Sequence, residues 1–523
     1  MSDATVPGDP VVPPGAEDRT GSDRASIYDV SARSDVHHLH KGAIGLWGVL
    51  FLTVTGAAPI SAMLFNTPIS VGFGNGIGTP AGFLVATVVL TVFSVGYAAM
   101  AQKITAAGGF YSFISHGLGR ELGVGAAFTS LVSYSVFEAS LCGGFAYFAH
   151  LKLAQHGHSI RWFWFALFMV GLIAVLTYFD IRISARILGV ALIGEVIILS
   201  IMDVAIFAQG GNNIQLGAIN PVNAFKDFPG GGGLAAGGAG VGIFFAFWSW
   251  VGFEMAPNYA EESKDPKRIV PRSLMISVIG LGIFYVITSW AAISGYHSLH
   301  DAAQVAQKNS AEFFFIPTKE FAGGFVRDVM SYLIISGAFA CGMAFHNTAA
   351  RYFFSMGRER LLPSVLGRTH PKHKSPHIAT LTQSAIAALI VIGFAIFTGT
   401  NDPASQAYLQ LYGLMAVMGV IIILAVQALV SIAIFNYFRT QHPEEHHMWK
   451  TIVAPLVSFL AQAYVIYLLF KNIDFLGSGY HWARYLGPID LVIFILGIGW
   501  ALYLKRNDPA KFESAGRLVN EGV

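Results

Sequence analysis

Long apolar stretches without charged residues recur along the chain and constrain its fold more than any other feature. The first, residues 42–78, contains no charged residue, whereas a helix needs only about 20 apolar residues to cross a bilayer. We therefore predict an all-α membrane protein with twelve transmembrane helices within residues 41–505. The other eleven stretches are 80–100, 122–150, 162–179, 187–209, 233–253, 273–297, 329–350, 377–398, 408–438, 451–470 and 491–504.

The composition agrees with a membrane protein and excludes several other classes. Hydrophobic residues make up 54% of the chain and charged residues 12%, whereas about a quarter of a typical soluble domain is charged. A net charge of +2 provides no broad basic surface for nucleic acid. Cys142 and Cys341 lie in separate apolar stretches and provide no disulfide framework or metal-ligand spacing. We expect no nucleic-acid partner, no cofactor and no metal; the partners are the lipid bilayer and a small molecule.

The two ends of the chain are predicted to be cytoplasmic tails. Residues 1–40 are polar, lack the apolar core of a signal peptide and are typical of a disordered segment; residues 505–523 form the C-terminal tail. If the N terminus is inside, the inside segments contain 24 Lys and Arg residues and the outside loops contain 8. The positive-inside rule favours this orientation, although an odd number of spans would place the C terminus outside.

Two predicted helices contain helix-breaking residues in their middles. The first contains Gly56 and Pro59, and the sixth contains Gly252, with Pro257 just beyond it. Backbone freed from helical pairing is tolerated in a membrane only where protein or a water-filled cavity satisfies it. Glycine and proline are also generally more frequent in membrane helices, so either interruption alone would be weak evidence.

Together, the two interruptions predict an internal repeat and a binding site. They occupy corresponding positions in two five-helix halves, residues 41–210 and 233–438, followed by helices 11 and 12 at 451–504, as in transporters built from inverted repeats. Half-helix N termini offer N–H donors to a carboxylate, and the opposing C termini offer carbonyls to an ammonium group. The predicted substrate-binding residues are Gly56, Ala57, Ala58, Pro59, Ile60, Ser61, Trp248, Ser249, Trp250, Gly252 and Glu254.

Acidic residues inside the apolar stretches require an explanation. Glu138, Glu195, Asp203 and Glu254 lie within or at the edge of predicted spans, where a charged side chain costs about 3 kcal/mol on insertion scales. Because a carboxyl group taken out of water holds its proton more tightly, Glu138, Glu195 and Glu254 are candidates for proton coupling. Alternatively, Glu138 could pair with a cationic amine, or protonated carboxyl groups could only hold neighbouring helices together.

Motifs after three of the helices resemble those of the amino acid–polyamine–organocation superfamily of transporters. The resemblance covers residues 41–505 and is more specific for the superfamily than for a substrate. Its motifs are Phe244-Phe245-Ala246-Phe247, Gly252-Phe253-Glu254, Ala260-Glu261-Glu262, Asp265-Pro266-Lys267-Arg268 and Pro271-Arg272 around the sixth helix, Ala107-Gly108-Gly109-Phe110-Tyr111 after the second, and Arg351 to Pro363 after the eighth.

This resemblance implies a leucine-transporter-like 5+5 inverted repeat with broken helices 1 and 6. It implies a secondary active transporter of the bacterial plasma membrane, not an enzyme, that imports an amino acid or related small organic amine by alternating access. By resemblance, Trp248 is the aromatic side chain that stacks on the substrate as a gate, and Glu254 is a carboxylate implicated in proton sensing. Trp250 would flank the same cavity, although both tryptophans could instead serve helix packing or interfacial anchoring.

The chain departs from the family at two positions. Residues 56–61, which include Pro59, replace the family's glycine-rich turn in the first helix, and Pro59 has no N–H to donate. Glu195 lies where proton-coupled members carry a lysine. Between Ile334 and Arg351 of the eighth helix, only Ser336 and Thr348 supply hydroxyl groups, so protons are favoured over sodium as the coupling ion.

Other functions stay open to different degrees. The carboxylates and Pro59 favour a permease or exchanger for an amine such as putrescine or ethanolamine, and a channel-like conductor is the alternative from another class. The sequence contains no metalloprotease, serine-hydrolase or P-loop motif. The basic residues Lys264, Lys267, Arg268, Arg358 and Arg360 are interpreted as a solvated face, with pairing to Glu261 or Glu262 at an inner gate as the alternative. The histidines His37, His38, His40, His442, His446 and His447 are also interpreted as solvated residues.

Overall fold

The computed structural model describes residues 39–158, 160–179, 181–227, 238–397 and 402–516. The regular elements among these residues are helices, and the only β-type pairing within them is one isolated bridge between Ile44 and Ser263. The predicted disordered tail lies outside the described residues except for its last two positions. Residues 517–523 of the C-terminal tail and 233–237 of the sixth predicted span also lie outside them.

Eleven helices of the described ranges are long and apolar enough to cross a membrane, and a further apolar helix has 17 residues. The prediction of a multi-pass helical membrane protein is confirmed, while the count of twelve spans stays a prediction. In chain order the helices are α1 Leu46–Phe73, α2 Gly76–Ala101, α3 Arg120–Ala154, the shorter α4 Trp162–Tyr178, α5 Ile181–Ala208, α6 Gly238–Glu262, α7 Pro266–Ser294, α8 Gly324–Arg358, α9 His377–Phe397, α10 Ser405–Thr440, α11 Met448–Lys471 and α12 His481–Asn507.

Shorter helices lie in the connections, and two of them introduce two of the three longest spans in the same way. Phe110–Leu118 precedes α3 and Phe315–Ala322 precedes α8. Each short helix ends at a glycine with a left-handed backbone, Gly119 with φ +104° and Gly323 with φ +91°, which glycine adopts without steric cost. Both spans that follow are 35 residues long. Further short helices are Leu299–Lys308 before α8 and Pro509–Ser514 after α12.

Helices differ in how fully the protein encloses them. Of the most apolar 18 residues in each helix, 94% are buried in α6 but only 22% in α12. The α5 helix is intermediate and exposes a row of aliphatic side chains that includes Val190, Ile197 and Val204. Such a row suits contact with lipid tails, so α6 belongs to the centre of the bundle and α12 to its periphery.

The broken helix α1 is packed on several sides by other helices. It contacts α5, α7, α8 and the second half of α6, while α3 packs along α8. This arrangement places the middle of α1 deep inside the protein, where Ala57, Ala58, Ile60 and Ser61 are all buried.

Candidate functional site

The two helix interruptions touch each other through their backbones. Gly252 has φ +120°, and a Cβ atom built on it would lie 2.3 Å from the carbonyl carbon of Gly56. No real side chain tolerates that approach, so glycine is required at this crossing. The sequence predicted both interruptions, and the structure brings them together at one point.

A single residue interrupts α1. Ala58 has the left-handed values φ +42° and ψ +77°, and its N–H donates to the carbonyls of Val54 and Thr55, which ends the first half-helix. The helix restarts at Pro59, which suits the first turn because its missing N–H would have no intrahelical partner there. The restarted half continues to Phe73 through a π-helical section over Ala62–Asn66.

Protein side chains satisfy the backbone groups at this interruption. The N–H of Ile60 donates to Glu195 Oε2 on α5, with N and O 3.2 Å apart. On the other half-helix, the hydroxyl of Tyr285 donates to the carbonyl of Ala57 at 2.9 Å, and the thiol of Cys341 donates to the carbonyl of Gly56 at 3.3 Å. The N–H of Ile60 and the carbonyls of Gly56 and Ala57 are therefore bonded within the protein.

The interruption in α6 is organised around Glu254. Its Oε2 accepts from the N–H of Gly252 at 2.8 Å, and its Oε1 accepts from the hydroxyl of Tyr134 on α3 at 3.2 Å. The hydroxyl of Tyr97 on α2 donates to the backbone carbonyl of Glu254 at 3.1 Å. Glu254 is buried; α3 and the crossing glycine hold its carboxylate, and α2 holds its backbone carbonyl.

Trp248 lies between aromatic rings at the end of the first half of α6. Its ring stacks on Phe245 with centroids 5.1 Å apart and on Tyr412 of α10 with centroids 5.7 Å apart. The neighbouring Ser249 hydroxyl donates to the carbonyl of Phe245 and accepts from the side-chain amide of Asn66 on α1. Aromatic and polar side chains of α1, α6 and α10 therefore meet beside the crossing.

Trp250 has different surroundings from Trp248. It is completely buried, packs against Phe83 of α2 and Tyr285 of α7, and its indole N–H is 3.5 Å from the carbonyl of Val278. These contacts agree with the packing role that the sequence left open for this residue.

Glu138 is bonded to partners on helices other than the two broken ones. Its Oε2 lies 2.9 Å from His346 Nδ1 on α8 and accepts from the side-chain amide of Gln383 on α9 at 2.7 Å. The hydroxyl of Ser135 donates to the other end of Gln383. All four side chains are buried. Sequence reasoning missed His346 and Gln383, although a polar residue in an apolar stretch is the same signal that singled out Glu138.

Asp203 also connects two helices. Its Oδ2 accepts from the hydroxyl of Thr288 on α7 at 2.7 Å. Hydrogen bonds therefore place Glu195 and Glu254 at the two helix interruptions, whereas Glu138 and Asp203 bond to other helices.

Ion pairs join α6 and α8 where both helices end. Glu262 accepts from Arg351, and Glu261 accepts from Arg358 at 2.5 and 3.0 Å. The ion pair between Arg358 and Glu261 is the pairing that the sequence analysis gave as the alternative to a solvated Arg358. Arg351 was not considered for such a pair. Arg268 instead approaches Asp265 on the surface.

A small surface group of possible ligands lies between α10 and α11. Single ligand atoms of His442, Glu444 and Glu445 lie within 4.8 Å of one another. The ammonium group of Lys103 is 2.5 Å from Glu445 Oε1 and already neutralises this carboxylate. Glu444 and Glu445 are exposed, whereas His442 is half-buried and its Nε2 lies 3.0 Å from the hydroxyl of Tyr437.

Comparison with known proteins identifies the family. The family model described as amino acid permease matches residues 44–498. The branched-chain amino acid permease BcaP of Bacillus subtilis is 24% identical over 451 residues, 83% of this chain and 86% of the relative. The low-affinity putrescine importer PlaP of Escherichia coli is 23% identical over 340 residues, which are 61% of this chain and 68% of PlaP.

A third relative, the glutamate/serine transporter AimA of Bacillus subtilis, is 23% identical over 57% of this chain and 51% of its own length. These relatives differ in the substrates that their names give, so the similarity identifies a family rather than a substrate. Because the family model matches most of its length, this multi-pass integral membrane protein belongs to the amino acid permease family of transporters.

Proposed function

We propose that the protein is a secondary active transporter that imports an amino acid or a related small organic amine together with protons. The observation that carries the proposal is the crossing of Gly56 and Gly252, where two interrupted helices meet and each presents a backbone amide to a buried carboxylate. Interrupted helices are tolerated inside a membrane where they surround a binding site.

The proposed arrangement in the membrane has twelve spans, a 5+5 inverted repeat and both termini in the cytoplasm of a bacterial cell. The excess of Lys and Arg in alternate segments supports this orientation. The matching entries to α3 and α8, each a short helix followed by a left-handed glycine and a 35-residue helix, support the repeat. The shorter α4 helix, added to the eleven longer helices, brings the number of spans to twelve.

Alternating access requires that the site open to one side at a time. In this structure Trp248, Ser249, Ile60 and Glu254 are all buried, which corresponds to a closed conformation. Release toward the cytoplasm then requires α6 and α8 to separate and the pair of Glu262 and Arg351 to break. Trp248, whose ring stacks on Phe245 and Tyr412, is the lid on the opposite side of the substrate in this proposal.

Proton coupling is assigned to the buried carboxylates Glu138, Glu195 and Glu254. A carboxyl group in such surroundings exchanges its proton when the conformation changes its solvation or its hydrogen-bond donors. Glu195 and Glu254 belong directly to the interrupted helices, so their protonation is sensitive to any movement there.

A permease or exchanger for an amine without a carboxylate is the second candidate. It is favoured by one observation: the N–H groups of Ile60 and Gly252 both already donate to protein carboxylates. In that case Glu195 and Glu254 would supply the negative charge that attracts the ammonium group, and no backbone donor would need to be released.

The experiment is uptake of radiolabelled L-leucine, L-serine, L-glutamate and putrescine into proteoliposomes with an imposed pH gradient. We expect saturable uptake of one of these compounds that is stimulated when the outside is acidic and abolished by a proton ionophore. Gradient-independent uptake would contradict proton coupling, and unitary currents in planar bilayers would instead establish a channel.

A further inference from the structure

The hydrogen bond between Ile60 and Glu195 joins the restarted half of α1 to α5. Pro59 has no N–H, so Ile60 provides the first backbone donor of the restarted half of α1. The N–H of Ala62 already donates to the carbonyl of Ala58. A substrate carboxylate that binds to the N–H of Ile60 at the start of this half-helix competes with Glu195 for that donor.

The carboxylate of Glu195 accepts one hydrogen bond among the described residues, the bond from the N–H of Ile60. Oε2 accepts from Ile60, while Oε1 is buried and has no hydrogen-bond partner in the described structure. No cationic side chain among the described residues forms an ion pair with it. The titratable groups that face it are Tyr285 of α7 and Cys341 of α8, which donate to α1 carbonyls instead, and α1 itself contributes no charged residue.

Close packing keeps the carboxylate at this position. A Cβ atom on Gly337 of α8 would lie 2.4 Å from Ile60 Cγ2 and 3.0 Å from Glu195 Oε1. Because Gly337 has no side chain, Ile60 of α1 and Glu195 of α5 have room to approach each other and form their hydrogen bond. The buried hydroxyl of Ser61 follows directly and has no hydrogen-bond partner among the described residues, so a further polar group is present for an incoming ligand.

We propose that Glu195 occupies the place of the substrate's carboxylate, and that an α-amino acid takes over the N–H of Ile60 when Glu195 takes up a proton. This inference rests on the proposed transport of an amino acid. In the exchange, the bond from Ile60 to Glu195 breaks, a bond from Ile60 to the substrate carboxylate forms, and one proton from solution binds Glu195. One ionised carboxylate, that of Glu195, is present at the interruption of α1 before the exchange, and one, that of the substrate, is present after it.

The exchange makes proton binding and substrate binding mutually dependent. Two carboxylates that share one donor in a water-free site repel each other strongly, so both are not ionised together. Because the complex then holds one proton more than the free protein, the affinity for the amino acid falls as pH rises. The fall reaches about tenfold per pH unit once Glu195 of the free protein is ionised.

Calorimetric titration of the purified protein tests the exchange. The probes are L-leucine and isoamylamine, which is leucine without its carboxylate, in buffers that differ in ionisation enthalpy. Above the pH at which Glu195 of the free protein ionises, we expect uptake of one proton per leucine bound and none per isoamylamine. Since this comparison uses the unmodified protein, it does not depend on the folding of a variant.

Two variants locate the proton. Glu195→Gln still offers an oxygen to Ile60 but carries no charge, so it is expected to bind leucine without proton uptake and without pH dependence. Asp203→Asn is the matched control, because Asp203 lies on the same helix and bonds to Thr288 instead. We expect this control to retain the proton uptake of the unmodified protein.

The possible results separate this inference from the transport function. Unchanged proton uptake in Glu195→Gln overturns the exchange. So does binding of leucine to the unmodified protein without proton uptake at every pH up to which the protein stays folded. Binding of isoamylamine or putrescine but not of leucine, L-serine or L-glutamate also overturns it and supports the amine permease. If no probe binds and proteoliposomes take up none of them, both the exchange and the proposed function are wrong.

Discussion

Arg351 and Glu262 form an ion pair in which two guanidinium nitrogens, Nε and Nη2, lie 2.9 and 2.6 Å from the same carboxylate oxygen. The third nitrogen, Nη1, donates to the carbonyl of Asn347 at 2.8 Å, and the guanidinium lies 4.6 Å from the ring centre of Tyr259. Both members of the pair are buried. The second half of α6 is thereby tied to α8 at the end of the protein where release is proposed.

Removal of Arg351 is predicted to destabilise the protein strongly. Arg351→Met leaves the carboxylate of Glu262 buried without its cation, which costs about 3–5 kcal/mol in the free energy of unfolding. The measurement is reversible unfolding in detergent mixtures. Asp474→Asn, which breaks an exposed pair with Arg484, is the control and should leave the unfolding curve unchanged; equal curves for both variants would contradict the account.

The crossing of the two broken helices predicts an effect of one methyl group. Gly252→Ala places a Cβ atom against the backbone of Gly56 and forces a side chain onto a backbone with φ +120°, so uptake should be lost and stability reduced. Gly280→Ala on α7 meets no atom within 4 Å and is expected to retain uptake within about twofold. Normal uptake by Gly252→Ala would mean that the crossing is not required.

Glu138 and His346 should behave as one unit. Because they share a buried hydrogen bond, the effects of Glu138→Gln and His346→Gln on unfolding free energy are predicted to be non-additive by about 1–3 kcal/mol. The control cycle pairs Glu138→Gln with Asp203→Asn, which share no hydrogen-bond partner, and should be additive. Additivity in the first cycle would show that the pair is not formed.

The C-terminal segment is predicted to stabilise the fold. Phe512 is buried beside Arg120 and Lys505, and Gly516 donates its N–H to Glu359 at 3.1 Å. Phe512→Ala should lower the free energy of unfolding by about 3 kcal/mol, whereas Leu502→Ala, at a side chain that is 51% exposed, should have a small effect. A similar loss in both variants would mean that the segment does not dock.

The order of helices and the two interruptions could be predicted because they depend on local chemistry. Long uncharged stretches must be helical in a bilayer, where each backbone group needs a partner. Glycine and proline near positions 56–59 and at Gly252 mark where that pairing fails. The structure places the interruptions at Ala58 and before Phe253, within the segments singled out from the sequence.

The partners of the buried polar groups could not be predicted from the sequence. Glu138 and Glu195 give the same signal, an acidic residue in an apolar stretch, yet the first is bonded to His346 and the second to the backbone of Ile60. These partners lie 208 and 135 positions away in the chain, so only the packing of whole helices determines them. For the same reason, the pair of Arg351 and Glu262 was not foreseen.

The central claim is that the substrate binds where α1 and α6 are interrupted, beside Trp248. The most direct test is thermal stabilisation of the purified protein by L-leucine, L-serine, L-glutamate, putrescine and ethanolamine, because a ligand that binds only the folded state raises its stability. We predict that at least one compound stabilises the unmodified protein and Trp164→Ala, whose side chain is exposed on α4, but not Trp248→Ala. Equal stabilisation of Trp248→Ala would contradict the account and place the binding site elsewhere.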